Sequence, residues 1–184
     1  MPNFIIHTRA SAPEGAHDVI DAYTEKFGFL FNTVGVMAES SAALKGYAQT
    51  YGLLGETAFK PAEQQLIFLS VSRENACTYC VAAHSMAGKM AGLDDETIAA
   101  VRDGGTILDP KLAAISSFAT EVVKTRGHIS KDAVNDFLVA GHTKAQVLEI
   151  LLAVATKTIS NYMNHITNTP LDEVLLPMAW ELSA

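Results

Sequence analysis

The chain is predicted to be all-α. Three observations carry that expectation: apolar residues recur at three- and four-residue intervals, helix start and stop residues punctuate that pattern, and no run of strand-type alternation interrupts it. The 184 residues are 49% hydrophobic and 18% charged, which leaves ample apolar surface for one core and argues against disorder. Residues 1–184 therefore read as a single domain.

The elements follow in order. Residues 11–15 read as a loop feeding a helix over about 16–27, and a second helix covers 41–54. Pro61 occupies a position that the first helical turn tolerates, ahead of the apolar run 66–71. Asp94, Asp95 and Glu96 place acids at the positive end of another helix, which Gly104 and Gly105 break. Asp109 and Pro110 begin a long helix reaching about residue 126, with Leu112, Ile115, Phe118, Ala119 and Val122 on one face and Gly127 as its stop. Helices over 130–140 and 143–167 complete the set, and Pro170 closes the last. Shifting the sequence by 83 positions lays 59–71 over 142–154 and Tyr79 over Tyr162, while Cys77 and Cys80 fall on Ser160 and Met163. That echo leaves open whether a cysteine-bearing half, about 1–105, and a cysteine-free half, about 106–184, are related.

Composition narrows the function. A net charge of −7 with scattered Lys and Arg disfavours nucleic-acid binding, which needs a basic face. No apolar run approaches the ~18 residues of a membrane span; the longest candidate is 150–155. Residues 1–7 show no basic stretch leading into a long apolar one, so the expected location is cytoplasmic.

The chemistry concentrates in residues 72–84. The only two cysteines, Cys77 and Cys80, stand three apart, too close for a disulfide to staple a chain of this length. Asn75 is read as the N-cap of a helix on which Cys77, Cys80 and His84 occupy positions i, i+3 and i+7, within an arc of about 60°. A helix N-terminus and Cys-x-x-Cys spacing both favour thiolate, and His84 is placed to take the thiol proton. This points to a reversible dithiol. Two readings compete: a zinc site, for which His128, His142 and His165 supply no second ligand pair, and simple core packing of two small residues.

The segment 61–84, with Asn75, Cys77, Tyr79, Cys80 and His84 as its core, resembles the alkylhydroperoxidase AhpD-like branch of the carboxymuconolactone decarboxylase superfamily. Segments 108–114, 140–143, 147–149 and 160–165 resemble later parts of that group. The resemblance implies an AhpD-like helical bundle, a homo-oligomer, and a peroxidase that uses neither metal nor cofactor. A hydroperoxide would be its substrate and a thiol its reductant. It also implies roles: Cys80 attacks peroxide, Cys77 resolves, and His84 belongs to the proton relay. Two positions depart from the pattern. The family's relay glutamate falls on Gln65, with Glu63 nearby but about 200° away round the helix. Tyr79 stands where the better-studied relay has a histidine. The alternatives are a lactone decarboxylase, which needs no dithiol, and a non-catalytic redox-sensing oligomer. Asn164 and His165 are candidates for pocket lining or helix capping, and Met178 and Trp180 for packing or subunit contacts.

Overall fold

The computed structural model describes residues 4–181, and helices dominate it. The α-helices are α1 (His17–Phe27), α2 (Asn32–Met37), α3 (Ser41–Leu53), α4 (Pro61–Glu74), α5 (Thr78–Met90), α6 (Asp95–Asp103), α7 (Pro110–Thr125), α8 (Lys131–Val139) and α9 (Lys144–Thr167). Short 3-10 turns cover Glu14–Ala16, Leu54–Glu56 and Glu173–Met178, and no strand occurs among the described residues. The all-α expectation holds.

Local chemistry explains where most helices begin. Ser40, Asp94, Ser130 and Thr143 each accept a backbone N–H through their side-chain oxygens, and Asp109 accepts two. Pro61 and Pro110 sit at first-turn positions, as anticipated. The ends moved slightly. Helix α7 stops at Thr125 because Arg126 itself turns left-handed, ahead of Gly127. Helix α9 stops because Asn168 does the same, two residues before Pro170. Helix α2 was not anticipated. Gly35 lets it pass under the N-terminal segment, since a Cβ there would come within 2.8 Å of the His7 carbonyl oxygen.

Helix α4 is the centre of the bundle, packed by α5, α6, α7 and α9. Residues Leu66 to Ser72 are all buried, which is how a helix surrounded on every side reads. The main core joins both halves, from Leu54 and Phe59 through Phe68 and Ile115 to Phe137 and Ile150. Trp180 and Met178 pack inside this chain, Trp180 also donating its indole N–H to the Arg102 carbonyl at 3.2 Å.

Helix α9 has an unusual cross-section. Lys157, Ser160, Asn161 and Asn164 are buried, whereas Leu148, Leu151, Ile159, Tyr162 and Ile166 are exposed. At about 100° per residue these are opposite faces, so the helix is polar inside and apolar outside. No single helix among the described residues is long and apolar enough to cross a membrane.

Candidate active site

The polar face of α9 meets the start of α5, and there the two sulfurs lie. The approach to α5 differs from the sequence reading. Asn75 is not its N-cap but the C-cap of α4; Ala76 turns left-handed at φ 55°, and Cys77 itself caps α5 in extended conformation. Cys77 therefore precedes the helix, and only Cys80 and His84 lie within it, one turn apart. The reversal is clamped from beneath. Cys77 N–H donates to the Ser72 carbonyl at 2.9 Å, Asn75 Nδ2 to Asn161 Oδ1 at 2.9 Å, and Asn161 Nδ2 to Ser72 Oγ at 3.3 Å. A left-handed alanine costs on the order of 1 kcal/mol. Ala76→Gly is expected to raise stability by up to about 1 kcal/mol, less the extra chain entropy glycine brings to the unfolded state. Urea denaturation of the two proteins checks it; a clear loss of stability would mean the alanine methyl is needed for packing.

Both thiols are free and buried. Lys157 Nζ donates to Cys80 Sγ at 3.4 Å, and Asn164 Nδ2 donates to it at 3.3 Å while lying 3.9 Å from Cys77 Sγ. Ser160 Oγ is 3.9 Å from Cys80 Sγ. Burial alone would push the Cys80 thiol up. It is outweighed by the hydrogen bond from Cys77, the Lys157 charge and hydrogen bonds from Asn161 and Ser160, which hold Cys80 well below the ordinary thiol range. Cys77 moves the other way, because its proton is held in the hydrogen bond to Cys80 and because it is buried. The pair is thus biased toward thiolate at Cys80 and toward thiol at Cys77. The N-terminal position of Cys80 in α5 adds to the bias.

His84 does not reach the sulfur. Its Nε2 receives Lys157 Nζ at 2.7 Å, and its Nδ1 donates to Gln65 Oε1 at 2.9 Å. Burial, then the Lys157 charge, drives its pKa well below the ordinary value, so the imidazole is neutral with its proton on Nδ1. Lys157 is the residue that sequence reasoning missed. It is 1% exposed, joins Cys80 to His84, and rests 5.7 Å from the centre of the Phe68 ring.

The remaining candidates separate. Gln65 supports His84 directly. Glu63 accepts the Lys60 backbone N–H at 2.8 Å and so caps α4. Tyr79 donates its hydroxyl to Asp172, which also accepts the Asn32 N–H at 3.0 Å, tying α5 to α2 and to the C-terminal turn. Asn164 lines the sulfur pair rather than capping α9, while His165 is exposed and stacks on Tyr162. Among the described residues no three His, Cys, Asp or Glu side chains converge on a metal site. Moreover, the ammonium between Cys80 and His84 occupies the place a shared cation would need.

Cys80, His84 and Lys157 form one wall of a cavity of about 270 Å³. Tyr23, Phe27, Phe31, Tyr47, Tyr51 and Tyr79 form much of the rest. Burial pushes the phenols of Tyr23, Tyr47 and Tyr79 up, so these walls are neutral. Cys77 lies outside the lining.

Residues 41–121 match the model of the carboxymuconolactone decarboxylase family. No curated protein matches the sequence. Among solved structures, the chain is similar to an uncharacterized peroxidase-related protein from Ralstonia eutropha JMP134 with an alkylhydroperoxidase AhpD core. Identity is 19%, TM-score 0.84, and coverage 95% of each chain. A peroxidase-related protein from Silicibacter sp. TM1040 matches at 19% identity and TM-score 0.80, covering 95% of this chain and 94% of that one. The debrominase Bmp8 matches at 15% identity and TM-score 0.78 over 96% of each chain, and a variant of it has been solved with 2,3,4-tribromopyrrole.

Proposed function

We propose that the chain is an AhpD-like member of the carboxymuconolactone decarboxylase superfamily and a thiol-dependent peroxidase that reduces organic hydroperoxides through Cys80 and Cys77. One observation carries the reading: Cys80 faces the cavity with Lys157 Nζ 3.4 Å from its sulfur, while Cys77 lies behind it, outside the cavity lining. In the first step Cys80 sulfur attacks the terminal peroxide oxygen and the O–O bond breaks. Lys157 gives its proton to the departing alkoxide, so the products are a Cys80 sulfenic acid, a neutral lysine amine and an alcohol. In the second, Cys77 displaces hydroxide from that sulfur, giving a Cys77–Cys80 disulfide and water. An external dithiol returns both electrons. His84 and Gln65 orient Lys157 from the far side.

The aromatic walls favour a hydroperoxide with a bulky apolar group, because such a group gains by leaving water whereas hydrogen peroxide does not. Cumene hydroperoxide is expected to exceed hydrogen peroxide in kcat/KM by about tenfold or more, each buried methylene contributing on the order of 0.8 kcal/mol. Steady-state kinetics with a dithiol reductant test this, and absence of dithiol-dependent hydroperoxide consumption would remove the proposal.

The same aromatic walls favour a second reading, reductive dehalogenation. Cys80 would take bromine from an aryl bromide, the ring would gain a proton, and Cys77 would displace bromide to close the disulfide. Bromide release without hydroperoxide turnover distinguishes it.

Self-association belongs to this proposal. The exposed stripe from Leu148 to Ile166 runs along about 27 Å of α9 with no charge in it, and a second copy of the chain is the proposed cover. Ile159→Glu is expected to lower the mass measured by light scattering from that of an oligomer to that of a monomer. A wild-type monomer at micromolar concentration would refute the assignment.

A further inference from the structure

The peroxidase reading leaves Lys157 as a deprotonated amine beside a sulfenic acid, and that pairing has a chemical outcome of its own. We propose that Lys157 is a covalent partner of Cys80, condensing with its sulfenic acid to form an internal sulfenamide. This rests on the proposed peroxidase chemistry and extends it.

Geometry is the first support. Lys157 Nζ is already 3.4 Å from Cys80 Sγ, at the end of an unbranched stem that can shorten the gap, and both side chains are buried. Charge is the second. In the resting pair the ammonium and the thiolate compensate each other. Oxidation of Cys80 removes the negative partner, and no carboxylate forms an ion pair with Lys157 among the described residues. The proton that Lys157 passed to the departing alkoxide leaves its nitrogen with a free lone pair. Oxidation therefore converts Lys157 from a proton donor into a nucleophile where one is needed. The competing nucleophile is less ready: Cys77 is held as a thiol by its surroundings, outside the cavity and before the helix.

The step balances. The amine nitrogen attacks the sulfenic sulfur, the S–O bond breaks, and hydroxide leaves as water with one of the amine protons. The product is Cys80 Sγ bonded to Lys157 Nζ, with the sulfur at the same oxidation level as in the sulfenic acid. Cys77 thiol then displaces the amine, giving the disulfide and restoring Lys157. The sulfenamide shields Cys80 from further oxidation while Cys77 approaches.

The test uses Cys77→Ser, in which the second step is blocked, treated with one equivalent of cumene hydroperoxide. Intact-mass spectrometry is expected to show a species lighter than the reduced protein by two hydrogens. It should be unreactive to dimedone, revert with dithiothreitol, and yield after digestion a cross-linked peptide joining Cys80 to Lys157. Adding Lys157→Met, with the exposure lengthened to offset its slower oxidation, should replace it with a species heavier by one oxygen on Cys80 that dimedone traps. If Cys77→Ser with Lys157 intact gains one oxygen and reacts with dimedone, the sulfenamide is refuted while the peroxidase stands. An unchanged mass with both the alcohol and the oxidised thiol missing removes both.

Discussion

Cys80→Ser is expected to abolish hydroperoxide reduction, a fall of roughly a thousandfold or more in kcat/KM, with little change in the fold. The size follows from what the serine cannot do. Its hydroxyl keeps the proton at neutral pH, so neither Lys157 nor Asn164 has a charge to stabilise, and oxygen does not form a sulfenic acid. Cys77→Ser should behave differently. Cys80 still faces the cavity beside Lys157, so the first equivalent of hydroperoxide is consumed, and turnover then slows to the rate at which external dithiol attacks the oxidised Cys80 directly, because no second sulfur completes the disulfide. Pre-steady-state measurements should show a single stoichiometric burst for Cys77→Ser and none for Cys80→Ser. Loss of the burst in Cys77→Ser with retention in Cys80→Ser would reverse the assigned roles.

That contrast depends on details the sequence exposed unevenly. Helices α4, α6, α7 and α9 were legible because their first turns carry proline, acids or a hydroxyl cap, each acting through neighbours a few residues away. The six residues of α2 carry no such signal and too little length for a periodic pattern. Asn75 misled for a physical reason: asparagine suits a helix start and a helix end equally, and the residue that turns left-handed after it is an alanine. Cys77 was therefore placed on a helix that begins one residue after it. The Cys80 and His84 spacing was read correctly, but their relation was not. Lys157 stands between them from a helix 77 and 73 residues away, and no local rule brings it there. A faint signal existed. Lys157, Ser160, Asn161 and Asn164 repeat at helical spacing, yet such a stripe normally marks the solvated face. Here the outward face is apolar, so only the packing of α9 against α4 and α5 identifies the polar stripe as the interior.

Replacing that lysine should cost reactivity without costing the fold. Lys157→Met keeps the length of the side chain and removes the charge; Cys80 can take up a proton, whereas His84 Nε2 loses its donor, so the variant is expected to fold with a stability loss of about 1–3 kcal/mol. For Cys80 the balance of forces reverses. Burial raises its pKa in both proteins, but the variant lacks the charge that opposes it, with only the hydrogen bonds left. The sign follows directly. In the wild type the thiolate exists at neutral pH, and its reaction rate falls only when pH drops below the depressed pKa. In Lys157→Met the thiolate appears only above the ordinary thiol range, so the rate climbs tenfold per pH unit through neutrality. At pH 7 each unit of upward displacement removes a factor of about ten, so a loss of about a hundredfold or more is expected. Alkylation of Cys80 by iodoacetamide across pH, in a Cys77→Ser background, reads the inflection without needing a reductant or a hydroperoxide. An inflection that stays below the ordinary thiol range in Lys157→Met would show that the start of α5 and the hydrogen bonds from Asn161, Asn164 and Ser160 stabilise the thiolate without the lysine, which would lose its place in the chemistry.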